Sequence, residues 1–133
     1  MSSARRAELA HWFRAALPHL DAGPAVSASL LRLRPTLSQA RSVLLIAFGK
    51  AAHPMAAAAV AALDGLVLRG LCAPPEPDDA PLLPLEVLPG GHPLPTAGSL
   101  RAAQRALELC RAADPRDHVV FLISGGEIGR AHV

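Results

Sequence analysis

The amino-acid sequence predicts a three-layer α/β domain built on a mainly parallel sheet. Two observations are a matched pair: residues 42–48 (SVLLIAF) and 118–123 (HVVFLI) are short, continuously apolar runs, the pattern of strands covered on both faces. A third is the alanine-rich stretch at residues 51–63, which lies between the first run and another candidate strand at residues 66–72. Strand, helix, strand in that order makes a right-handed parallel crossover the default connection.

Taken in order, residues 3–20 read as an amphipathic helix, with Leu9, Phe13, Ala16, Leu17 and Leu20 on one side. Trp12, the only tryptophan, is expected to pack rather than to bind a ligand. Residues 21–24 (DAGP) break that helix, and residues 25–33 form a second short one that Pro35 ends. Gly49 and Lys50 follow the first strand directly, and Pro54 is tolerable in the helix after it because it falls in the first turn. Asp64-Gly65 closes this helix ahead of the second strand.

The proline content and acidic pair of residues 73–84 describe a surface loop or linker. Residues 85–88 are a third short strand that runs into residues 89–95 (PGGHPLP). Thr96 is a suitable amino-terminal cap for a helix to about residue 113, with Leu100, Ala103, Leu107 and Cys110 on one face. Asp114-Pro115 stops it, and the last strand then delivers Ser124-Gly125-Gly126 at its carboxyl end.

Composition limits the function. At 133 residues and 51% hydrophobic content the chain suits one α/β domain, or part of one, with a sizeable core. The net charge of +2 is small, and the arginines are scattered with no interleaved aromatics, which argues against a nucleic-acid partner. Cys72 and Cys110 have no zinc-ligand companions at suitable spacing, so no metal site is expected and both read as ordinary thiols. Neither a signal peptide nor a membrane-spanning run is visible, and a cytoplasmic protein is expected.

Ligands of open parallel sheets bind beyond the carboxyl ends of the strands. Three segments fall there: Gly49-Lys50, Gly90-Gly91-His92-Pro93 and Ser124-Gly125-Gly126. Glycine-freed amides, the positive end of a following helix and a lysine charge together suit a phosphate or carboxylate. Lys50 is the only lysine in the chain, yet a strand-to-helix Gly-Lys is equally compatible with a turn carrying a solvated lysine. His92 is open to two readings as well, a structural histidine bonded to nearby backbone or a group acting on a ligand. His11, His19, His53 and His118 lack partners at metal-ligand spacing and read as structural or surface residues.

The apolar strand with Gly49-Lys50-Ala51-Ala52 and Met55, then residues 88–95 (LPGGHPLP), then residues 121–126 (FLISGG), resemble the Rossmann-like amino-terminal domain of the class II glycerate kinases. Members of that family phosphorylate D-glycerate from ATP to 2-phosphoglycerate, and some carry the label hydroxypyruvate reductase. The resemblance implies ATP and Mg²⁺ as cofactors, glycerate as substrate, and a second domain of the same chain closing over the cleft. It makes Lys50 the lysine that faces substrate and transferred phosphate. Gly49, Gly91 and His92 would then line the substrate pocket, and Ser124, Gly125 and Gly126 would open a phosphate-cradling Ser-Gly-Gly-Gly-Ser loop. The third glycine and second serine of that loop are absent here. Residues 127–133 (EIGRAHV) resemble instead the one-frame translation of a common sequencing adapter. The expected organisation is therefore residues 1–126 as a partial, inactive amino-terminal α/β domain and residues 127–133 as a non-native tail.

Two other classes remain in play. One is a non-catalytic sugar-phosphate or small-anion binding module on the same fold. The other, a dehydrogenase, is disfavoured because no Gly-x-Gly-x-x-Gly follows the first strand.

Overall fold

The computed structural model describes residues 3–16, 21–77 and 80–124. Its elements in chain order are α1 (Ser3–Ala16), α2 (Ala22–Leu37), β1 (Val43–Phe48), α3 (Ala52–Ala62), β2 (Leu68–Ala73), β3 (Leu85–Val87), α4 (Ala97–Arg111) and β4 (His118–Ile123). The four strands form one sheet in the order β3-β2-β1-β4, and every pairing is parallel. The predicted three-layer α/β class is the observed one.

The layers follow from the side-chain alternation of β1. Val43, Leu45 and Ala47 face the α2 and α3 side, where Met55, Ala56 and Ala59 meet them. Leu44 and Ile46 face the α4 side with Leu71, Ala102 and Leu109. Leu44 and Leu45 are wholly buried, each contributing about 1.5–3 kcal/mol by leaving water. An uninterrupted apolar run is what a strand between two helical layers requires.

Three helix expectations are corrected. α2 starts at Ala22, not at residue 25, because Pro24 sits in the first turn, where its missing N–H has no helical partner to lose. Asp21 caps this turn, its carboxylate accepting from the Gly23 amide at 2.9 Å. α2 also runs through Pro35 to Leu37. Its last turn is clamped by Arg34, which donates to the Ala62 and Asp64 carbonyls at the end of α3 at 2.5 and 2.6 Å. Those contacts offset the hydrogen bond that proline forfeits.

α1 buries none of its residues, and Trp12 and Phe13 are 63% and 64% exposed, so Trp12 does not pack as expected. The predicted extension over residues 17–20 lies outside the described residues.

α4 presents a different stripe from the one its spacing suggested. Gly98, Ala102 and Leu109 are buried, whereas Leu100 and Leu107 are exposed. Small side chains decide this: Gly98 lies against the Pro89 carbonyl so closely that a Cβ would overlap it. Glycine at 98 lets the start of the helix press against the loop after β3, and Ala102 and Leu109 face the sheet while Leu100 and Leu107 turn away.

The linker between β2 and β3 is not wholly a surface loop. Leu82 is buried in the same core as α3.

Candidate functional site

The strand order and helix faces create the site. β1 is followed by α3 on one face of the sheet, while α4, on the other face, leads into β4, β1's other neighbour. The chain therefore leaves adjacent strands β1 and β4 from a point where the strand order reverses, the usual place for a ligand crevice.

Gly49 makes the exit from β1 possible. Its φ of +102° is open to glycine and strained for other residues. The Ala52 amide donates back to the Gly49 carbonyl at 3.0 Å, starting α3. Lys50 lies between them, exposed to solvent, and among the described residues it has no hydrogen bond or ion pair.

The second segment is held by Ser99. Its hydroxyl accepts from the Gly91 amide and from the Thr96 amide, both at 3.1 Å, while the Thr96 hydroxyl accepts from Gly98 at 3.1 Å. This reciprocal arrangement at the start of α4 is a capping box. The Gly90 amide donates to the Pro74 carbonyl at 2.8 Å, pinning the loop to the end of β2. A Cβ on Gly91 would collide with Thr96 and the Leu94 carbonyl, so only glycine fits. Sequence reading placed Thr96 correctly and missed Ser99, whose position three residues after the cap was the available signal.

These pieces meet around a cleft of about 640 Å³. Gly49, Lys50, Gly90, Gly91 and His92 line it together, with Ile46, Ala102 and Phe121 among its apolar wall. The predicted convergence of Lys50, Gly49, Gly91 and His92 is thus present. Ser124 stands beside it, where its amide donates to the Phe48 carbonyl at 3.2 Å and its hydroxyl accepts from the Ala51 amide at 3.1 Å. Gly125 and Gly126 lie outside the described residues.

In charge, the described lining offers one cation and no carboxylate. Among the described residues no group of three or more His, Cys, Asp or Glu side chains could hold a metal. This donor set fits the anionic end of a ligand and does not fit a protein-held Mg²⁺. An ion bound to nucleotide phosphates would need no carboxylate from these residues.

The strongest electrostatic feature is at the other end of the sheet and was not anticipated. The Asp117 carboxylate, its side chain fully buried, accepts from Arg41 through two nitrogens at 2.9 Å each, from Ser42 Oγ at 2.8 Å, from Arg69 at 3.0 Å and from the Asp114 amide at 2.9 Å. The Arg41 hydrogen bonds, foremost, hold its carboxyl far below the usual range. This cluster ties the starts of β1, β2 and β4 together, so its role is structural.

A parallel α/β domain with a cleft at a sheet switch point, lined by one lysine and glycine-rich backbone, is the class that fold and site define. Residues 8–129 match the family described as domain of unknown function DUF4147, and the chain belongs to that family. It is 35% identical over 85 residues to a D-glycerate 2-kinase of Thermotoga maritima, covering 63% of this chain and 20% of that protein. It is 36% identical over 83 residues to a protein of Agrobacterium vitis named "Putative hydroxypyruvate reductase", covering 62% of this chain and 19% of that one. The matched part spans about a fifth of the length of these curated relatives. The resemblance to glycerate-kinase amino-terminal domains is therefore upheld. No solved structure matches the chain. Among the described residues no helix is long and apolar enough to cross a membrane.

Proposed function

We propose that this chain belongs to a cytoplasmic, ATP-dependent glycerate 2-kinase, in which it forms one wall of the site that phosphorylates D-glycerate to 2-phosphoglycerate. The observation that carries this reading is Lys50 in the lining of the switch-point cleft, uncommitted to any described partner and sharing that cleft with the Gly90-Gly91-His92 loop. Kinship with a D-glycerate 2-kinase supports the substrate and the nucleotide.

Bound MgATP would supply the phosphoryl group. Phosphoryl transfer asks a protein mainly for positioning and charge neutralisation. Lys50 holds a fixed positive charge toward the glycerate carboxylate or the group in transit. Gly91 and His92 shape the pocket for glycerate, and Gly49 lets the Lys50 turn approach the ligand. The loop that Ser124 opens cradles phosphate through the amides of Gly125 and Gly126, since the Ser124 amide is already given to the Phe48 carbonyl. The remaining catalytic and metal-binding groups come from other parts of the protein, and the 133 residues alone are inactive. Residues 1–126 are native sequence in this reading and residues 127–133 are not, which an independent sequence of the locus tests.

The test of function is a coupled assay of the full-length protein with D-glycerate and MgATP, with hydroxypyruvate and NADH as the contrasting pair. Formation of 2-phosphoglycerate supports the kinase, and NADH oxidation alone overturns it. The absence of a carboxylate from the described lining favours a second reading, a non-catalytic module for sugar phosphates or small anions. Saturable binding of glycerate without turnover of ATP would select that reading.

A further inference from the structure

Among the described strand-end groups Lys50, His92 and Ser124, Ser124 is the one whose side chain is already committed. α3 begins at an N-cap, Ala51, that has no side chain able to cap it. The missing acceptor comes from across the sheet, since the Ser124 hydroxyl takes the Ala51 amide at 3.1 Å. The next amide, Ala52, is taken by the Gly49 carbonyl at 3.0 Å, and Pro54 has none to offer. Two of the amides at the start of α3 are thus already taken by the protein's own groups.

Residue 124 grips the turn on both sides. Its amide holds the Phe48 carbonyl at 3.2 Å, before Gly49-Lys50, and its hydroxyl holds the Ala51 amide just after. The hydroxyl occupies the space a Cβ on Gly49 would need. Lys50 is the residue spanned by this grip, and it is exposed with no described partner of its own. Its reach is set by the backbone on either side of it.

We infer that the Ser124 hydroxyl is a positioning group, which fixes the reach of Lys50 by pinning the Ala51 amide, and is not itself a ligand for phosphate. This rests on the kinase reading for its catalytic consequence and on geometry alone for the latch.

The test uses the full-length protein and four variants: Ser124→Ala, Ser124→Thr, Lys50→Met, and Lys50→Met with Ser124→Ala. Hydrogen exchange at the Ala51 amide should accelerate about tenfold in Ser124→Ala, as expected for loss of one hydrogen bond. The Leu45 and Ile46 amides of β1 should keep their protection, which establishes that the variant is folded. With glycerate and MgATP, kcat should fall about tenfold while both KM values stay within about twofold. Ser124→Thr, which retains the hydroxyl, should restore Ala51 protection and most of kcat.

The decisive reading is the double variant. If Ser124 acts through Lys50, Ser124→Ala costs nothing further once Lys50 is methionine. Additive losses, or a raised KM for ATP in Ser124→Ala, would make Ser124 a direct phosphate ligand and overturn the proposal. Unchanged Ala51 exchange in Ser124→Ala would overturn the latch whatever the kinetics. Accelerated exchange in a protein that never phosphorylates glycerate would sustain the latch and defeat the kinase reading.

Discussion

Gly49 and Ser124 occupy one shared volume at the carboxyl edge of the sheet: the hydroxyl of Ser124 sits where a side chain on Gly49 would begin. Gly49 is therefore required twice, for its φ of +102° and for the space it leaves. Gly49→Ala should destabilise the protein by about 1–2 kcal/mol from the backbone strain alone. Adding Ser124→Ala should recover only the steric part, leaving a residual loss. Urea melts of the two single variants and the double would measure this, and a Gly49→Ala variant as stable as the parent would refute the strain.

Lys50 gives the sharpest functional prediction. Lys50→Met keeps much of the stem and removes the charge, so in the full-length enzyme turnover should fall roughly a hundredfold or more. The melting temperature should barely change, because Lys50 is exposed and makes no described ion pair. Steady-state kinetics beside a thermal melt decide the matter. Near-normal turnover would leave Lys50 as a solvated turn residue.

Asp117 predicts an acid-sensitive stability. Its folded pKa is depressed from the ordinary 3.8, first by Arg41 and then by the Asp114 amide. A depressed carboxyl contributes stability that is complete above its unfolded pKa and is lost as pH falls toward its folded one. Stability should therefore decline progressively below about pH 5. Asp117→Asn should be less stable at pH 7 and show a shallower decline on acidification. Parallel slopes for the two proteins would show that the cluster is not the source.

β4 predicts self-association of the 133-residue chain. Val119, Phe121 and Ile123 are 41%, 54% and 55% exposed on the α4 side, beside the turned-away Leu107. A contiguous apolar strip along a sheet edge invites pairing. Sedimentation should show a mass that rises with concentration, and replacing the three β4 residues with threonine should suppress it. A wild-type chain that stays monomeric throughout would contradict this.

Much of this protein was determined by local pattern. Residues 42–48 and 118–123 announced buried parallel strands because a strand between two helical layers has no polar side, and Thr96 announced the start of α4 because an uncapped helix leaves amides unsatisfied. The strand-end glycines marked the edge that carries the cleft for the same local reason: turns of that kind need glycine. What the tertiary structure alone decided was which neighbours meet. Trp12 was expected to pack yet stays 63% exposed, with His11 as its described ring contact, and α4 buries Gly98 and Ala102 while Leu100 and Leu107 stay exposed. Asp117 gathered Arg41, Ser42 and Arg69 from 48 to 76 positions away, and Ser124 reached back 73 positions to Ala51. Hydrogen-bond partners so distant in the chain leave no periodicity in it; they exist only once the strands have paired in register.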